Sequence, residues 1–213
     1  MRFNLGAAAI GCLVLLASSG MSSAQKLERA QPPAVGDKSL YSWSLNNKAQ
    51  NLEYEVTSVT DYAMQAAQRV GGKEFNFALD KNGDYAQGMC ISNGQQCTFT
   101  PGVKFADFPL EKGKKWITTF AVKGETFTAD VTQERQVDKF EKVKVPGGEF
   151  EAVKVSFSGS IKGVDAKGKP FSGKEDGTDW FAVVNGKLRL IKTVYRNSFG
   201  EKATQELVSL AKQ

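Results

Sequence analysis

From Ser39 onward, apolar side chains recur at every second position between closely spaced glycine turns, and this pattern restricts the chain to antiparallel sheet. Leu52, Tyr54 and Val56 alternate with polar neighbours, as do Phe75, Phe77 and Leu79. The same period runs through Val143 and Val145 and through Val153, Val155 and Phe157. Between these runs lie Gly71-Gly72, Asn82-Gly83, Asn93-Gly94, Lys123-Gly124, Pro146-Gly147-Gly148, Asn185-Gly186 and Phe199-Gly200. Asn-Gly pairs supply the positive φ angles that two-residue hairpins require. The expected fold class is all-β: a single antiparallel domain of about ten to twelve strands, closed as a barrel or half-barrel or stacked as a sandwich.

One stretch competes with that reading. Asp61–Val70 carries Ala-Met-Gln-Ala-Ala-Gln-Arg, all acceptable in a helix, with Thr60 or Asp61 able to cap it and Gly71 able to stop it. Val56 and Val59 lead into it without a break, and Gly71-Gly72 makes a hairpin to Phe75, so a strand is expected. Two segments read as irregular. Residues 25–38, with Pro32-Pro33, form an extended N-terminal arm, and Asp165–Lys174 is a polar, glycine-containing loop between two strands. Residues 39–213 then make one β domain.

The first 24 residues have the grammar of a cleavable signal peptide. Arg2 is the only charge before Lys26, Leu5–Ala17 is an uncharged and mostly apolar run, and Ser22-Ser23-Ala24 places small side chains before Gln25. The run is short of the about 20 apolar residues that a membrane span needs. A lipid-modified Cys12 would have to begin the mature chain, yet Leu13-Val14-Leu15-Leu16 continues the apolar run beyond it. The expected location is periplasmic or secreted, with no transmembrane segment after cleavage. Cys90 and Cys97 are the cysteines left, and in an oxidising compartment they are expected to form a local disulfide across Asn93-Gly94. Their spacing is not the C-x-x-C of redox dithiols, and two thiols alone make a poor metal site.

Lys and Arg outnumber Asp and Glu by 28 to 23, but the lysines are spread singly between apolar residues. That is the solvated face of strands rather than a nucleic-acid patch, so no nucleic acid is expected. The sequence contains no histidine, which removes Ser-His-Asp and Cys-His sites, His-ligated zinc and a histidine base. Asp80, Asn82 and Asp84 have the spacing of the first ligands of a calcium loop, but Tyr85 stands where glycine is needed and Ile91 where the closing glutamate belongs. They read as polar residues around a hairpin turn. Glu175, Asp176 and Asp179 precede Trp180 and could pair as carboxylates beside an aromatic platform, although glycoside hydrolysis needs two carboxylates at a set separation across a cleft. They are taken as turn and surface residues entering a strand. No catalytic residue, metal ligand or cofactor is expected. Trp43, Trp116 and Trp180, together with 14 phenylalanines, supply either a core or a lined cavity.

Three phrases carry a family resemblance: Phe108-Pro-Leu-Glu-Lys-Gly-Lys-Lys-Trp116, Val145-Pro-Gly-Gly-Glu-Phe150 followed by Ala152, and Trp180-Phe181 ahead of Gly186 and a closing Glu206-Leu207-Val208-Ser209. Over residues 105–210 the chain resembles a loose group of uncharacterised, β-rich bacterial envelope proteins. The resemblance implies a secreted sheet domain akin to the half-barrels that carry lipoproteins or lipids, and it transfers no catalytic residue. The expected function is a non-catalytic periplasmic binding or carrier module for an apolar or lipid-like ligand. Trp116, Phe120, Phe127, Phe157 and Trp180 are the candidate cavity lining, with Trp116 and Trp180 placed in one pocket. Two other classes remain: an envelope interaction or structural module that binds another protein, and a carboxylate-dependent hydrolase.

Overall fold

A computed structural model describes residues 26–90 and 94–211. The expected signal peptide, its cleavage before Gln25 and the Asn93 half of one turn lie outside the described residues.

Twelve strands form a closed barrel. In chain order they are β2 (Lys38–Leu45), β3 (Lys48–Thr60), β4 (Ala63–Val70), β5 (Lys73–Leu79), β6 (Tyr85–Met89), β7 (Gln96–Val103), β9 (Lys115–Lys123), β10 (Phe127–Val145), β11 (Gly148–Asp165), β12 (Pro170–Val184), β13 (Lys187–Asn197) and β14 (Lys202–Ala211). Every neighbouring pair is antiparallel, and the ring is completed by β14 against β2. Two short strands, β1 (Lys26–Leu27) and β8 (Leu110–Glu111), pair with each other outside the ring.

The turn chemistry explains the connections. Asn46 and Asn47, Gly71 and Gly72, and Asn185 and Gly186 all have positive φ, as two-residue hairpin loops require. Asp61–Val70 resolves as turn and strand: Asp61 takes a positive φ, and β4 alternates with Met64, Ala66, Gln68 and Val70 buried. The loop expected at Asp165–Lys174 is a correction. Only residues 166–169 connect, because Pro170 already pairs with Val164 and β12 runs unbroken from there. Cys90 and Cys97 are joined as a disulfide across the β6–β7 connection.

Alternation sets the two faces of the wall. On β10, Ala129, Val131, Gln133, Arg135 and Val137 are buried, whereas Thr128, Asp130, Thr132 and Glu134 are exposed. An outer face with such charges is the reverse of the apolar band that a membrane barrel turns to lipid. Buried apolar side chains form three clusters, and Leu52, Phe120 and Phe181, one from each, line a common cavity.

Strand glycines let rings cross the wall closely. A Cβ on Gly177 would lie 2.4 Å from the Phe157 ring and 2.3 Å from the Val194 carbonyl oxygen, and one on Gly163 would lie 2.7 Å from the Phe171 ring. Glycine at such positions marks close approach and sharp bending in a barrel. The rings of Phe157 and Phe171 occupy the space the missing side chains leave.

The N-terminal arm crosses the barrel. Lys26 and Leu27 pair with Glu111 and Leu110, Gln31 bridges Lys187 and accepts the Leu188 amide, and the Arg29 guanidinium stacks 3.7 Å above the Tyr62 ring. Arg29 and Pro33 both contribute to the wall of the cavity.

Candidate ligand cavity

The barrel encloses a cavity of about 720 Å³, within the range of about 300 to 1,000 Å³ that small-molecule sites occupy. Its wall divides into an aromatic half and a polar half.

The aromatic half is a continuous chain of rings. Tyr41 on β2 meets Tyr54 on β3 at 5.6 Å between centroids, Tyr54 meets Phe77 on β5 at 5.2 Å, and Phe77 meets Tyr85 on β6 at 5.3 Å. Tyr85 meets Phe99 on β7 at 4.7 Å, and Phe99 meets Phe120 on β9 at 5.9 Å. Such edge and tilted contacts are the favoured geometry of ring pairs. The buried phenols keep partners: Tyr41 donates to the Leu190 carbonyl at 3.1 Å, and Gln68 bridges the Tyr54 hydroxyl and the Met89 amide. Burial pushes the Tyr41 phenol up to about 12, so it stays neutral at any ordinary pH.

The polar half comes from β10, β12 and β13. Gln133 donates to Glu175 at 2.7 Å and accepts from Arg135 at 2.8 Å. Arg135, which backs this wall without being part of it, also pairs with Asp179, whose other oxygen accepts from Thr193 at 2.7 Å. The Arg135 guanidinium lies between the rings of Phe157 and Phe105, 4.7 and 5.0 Å from their centroids. A buried arginine held by carboxylate, amide and two π faces is compensated in charge and largely in hydrogen bonding. Burial pushes the Glu175 carboxyl above its usual range, against the pull of the Gln133 and Tyr195 hydrogen bonds and of Arg135.

A second charged group stands where the arm meets β13. Asp37 accepts from Lys187 at 2.6 Å, from Arg189 at 2.7 Å and from the Ala34 amide at 3.0 Å. Burial alone would raise the Asp37 carboxyl, but those three donors hold it below the usual carboxylate range. Arg189 and Ser39 both belong to the cavity wall.

Of the residues singled out from the sequence, Phe120, Phe127 and Phe157 line this cavity. The two tryptophans are placed elsewhere and not in one pocket. Trp180 lies between Asp179 and Phe181, which both line the cavity, so alternation turns it to the other face of β12. There it donates to Glu141 at 2.9 Å, with the Lys154 and Lys192 ammonium groups about its ring. Trp116 shares the inward face of β9 with Phe120 but sits against the cluster around Leu110 and Val137, its indole donating to the Lys104 carbonyl at 3.0 Å. Trp43 is buried beside Tyr41.

The acidic cluster is the other correction. Glu175 and Asp179 are not turn residues; they are buried in mid-strand, because β12 begins at Pro170 and period two aims both at the cavity. Only Asp176 faces outward, where Arg196 pairs with it. Asp80, in contrast, accepts from the Asn82 and Asp84 amides, which is the turn expected of it. Sequence reasoning missed the ring chain through Tyr41, Tyr54, Phe77, Tyr85 and Phe99, and it missed Gln133 and Arg135. The visible signal for the last two was Val131-x-Gln-x-Arg-x-Val137, a polar pair in the inward register of an otherwise apolar strand.

No protein-family model matches the sequence, and no curated protein matches it. Solved structures do share the fold. A Bacteroides fragilis protein named for export and a YmcC-like fold superposes with a TM-score of 0.53 at 13% identity, over 86% of this chain and 99% of its own. A Parabacteroides distasonis protein named as a lipoprotein gives 0.50 at 13% identity, over 84% and 97%. At this identity the likeness is one of fold.

Proposed function

We propose that the protein is a non-catalytic binding or carrier module, working in the bacterial envelope, that holds one apolar or lipid-like molecule inside its barrel. The observation that carries this is the inversion of the wall: charged outside, apolar and aromatic inside, around a volume that suits a small ligand. The signal-like N-terminus and the names of the two fold relatives support the envelope setting. The non-catalytic reading is supported by the carboxylates facing the cavity. Asp179 has both oxygens engaged and Glu175 is tied to Gln133, so neither is presented to a substrate as a free acid or base. Each of the twelve strands is also paired on both sides over part of its length, which leaves no wholly free edge strand in the ring and favours cargo over edge-to-edge interaction.

The test is native mass spectrometry of protein purified from the periplasm without detergent, followed by organic extraction. One amphiphilic molecule per chain is expected, and after delipidation one equivalent of an environment-sensitive apolar fluorophore should bind. A ligand-free protein that also fails to take up the fluorophore would overturn the reading.

A further inference from the structure

We infer that the cargo is an amphiphile with an anionic head, and that Arg189 receives that head while the tail lies along the aromatic half of the barrel. This rests on the carrier reading above. Three observations converge on Arg189. Its side chain is more than nine-tenths buried and forms part of the cavity wall. Its Nε–H is buried and has no hydrogen-bond partner among the described residues, although Nη2 reaches Asp37 and Nη1 lies 3.4 Å from Ser39. A buried donor without an acceptor is costly to leave, and a ligand acceptor reaching Arg189 from the cavity would relieve that cost.

Charge points the same way. Asp37 is the single carboxylate shared by Lys187 and Arg189, so the three groups together carry one uncompensated positive charge. An anionic oxygen at Nε would complete both the hydrogen bonding and the charge. The guanidinium suits this role, because it stays charged when buried and forms strong hydrogen bonds to carboxylate and phosphate oxygens.

The other buried arginine is a poor alternative. Arg135 also has an unpartnered Nε, but it is covered by the Phe105 and Phe157 rings and is not part of the wall. It sits beside two carboxylates, Asp179 and Glu175, which would repel an anion. Tyr41, next to the Arg189 site, begins the chain of rings that leads away through Tyr54, Phe77 and Tyr85. Head site and tail surface are therefore continuous.

The experiment uses the delipidated full chain and displacement of a bound apolar fluorophore by a fatty acid, an alkyl phosphate and a fatty alcohol of equal chain length. The acid, the phosphate or both should bind at least roughly tenfold tighter than the alcohol, and which of them does identifies the head. Arg189→Met, which keeps the aliphatic length, should erase that preference, bringing the acid and the phosphate to the affinity of the alcohol; Arg189→Lys should retain part of it. Thermal melts establish that both variants fold. Equal binding of acid, phosphate and alcohol to the native chain, or an undiminished preference in Arg189→Met, would overturn the head-group assignment alone and leave the carrier reading intact. Failure of all three ligands to displace a bound fluorophore would likewise overturn the head-group assignment alone, whereas failure of the fluorophore to bind at all would overturn both.

Discussion

Glu175 is held in the barrel at a cost that depends on pH. Burial raises its carboxyl above the ordinary value of 4.5, so the folded state holds the proton more tightly than the unfolded chain does. The stability linked to that proton is fully present below the unfolded value and is lost as pH rises through the folded one. Glu175→Gln should therefore stabilise the protein at neutral pH, and the gain should vanish below about pH 4. Melting temperatures of both proteins across that range check the sign; a gain that grows on acidification would contradict it. The two faces of β12 and β4 give a second contrast. Ala66 is buried on the inner wall and lines the cavity, so Ala66→Phe should block fluorophore uptake yet cost less than the about 1 to 3 kcal/mol of overpacking a filled core. Trp180→Ala removes a half-buried ring that packs against the cluster around Trp43, Ala182 and Ile191 without lining the cavity, and should cost less than the about 3 to 5 kcal/mol of a fully buried aromatic while leaving uptake intact. Denaturant midpoints and fluorophore titration on the same samples separate the two. At this scale the sequence was only partly legible. Phe120, Phe127 and Phe157 stood out because they are large and apolar. Gln133, Arg135, Glu175 and Asp179 did not, because polarity in a strand ordinarily means solvent, and only their register shows that they face each other across β10 and β12.

Among the elements, strands and hairpins were the most readable features. Asn185-Gly186 and Gly71-Gly72 announced their turns through the φ angles only such residues take readily, while Asn46-Asn47 and Asp61-Tyr62 make equivalent turns without a glycine and passed unnoticed. The extent of β12 was misjudged for a related reason. Gly168, Pro170 and Gly173 resemble loop residues in a row, yet Pro170 opens the strand and Gly173 lies within it, beneath the Phe199 ring. The β6–β7 connection carries the prediction at this scale. Its disulfide closes a short loop that Cys90 also ties by backbone bonds to Gly94 and Gln95. Loop entropy alone assigns the bond about 2.5 kcal/mol. Replacing both cysteines with alanine should lower the urea midpoint by the equivalent of that figure with little change in the slope of the transition, since so short a loop, once released, exposes little extra surface in the denatured chain. Alanine is the suitable replacement because Cys97 is wholly buried and a serine hydroxyl there would need a partner.

For the molecule as a whole, alternation and turn spacing were enough to read an all-β fold of about ten to twelve strands. Barrel closure was beyond them, because closure depends on contacts between residues far apart in sequence. The pairing of β14 with β2 joins Ala203 to Leu45 and Ala211 to Lys38, with nearly the entire domain strung between them. Contacts of such separation form late and slowly, since the intervening chain must be ordered before they can be made. The enclosure therefore has a schedule as well as a shape. A nascent chain that lacks its final strand has two sheet edges where the finished one has a seam, and it has no interior in which anything could be held. On the carrier reading, loading becomes possible only once β14 has closed the ring against β2.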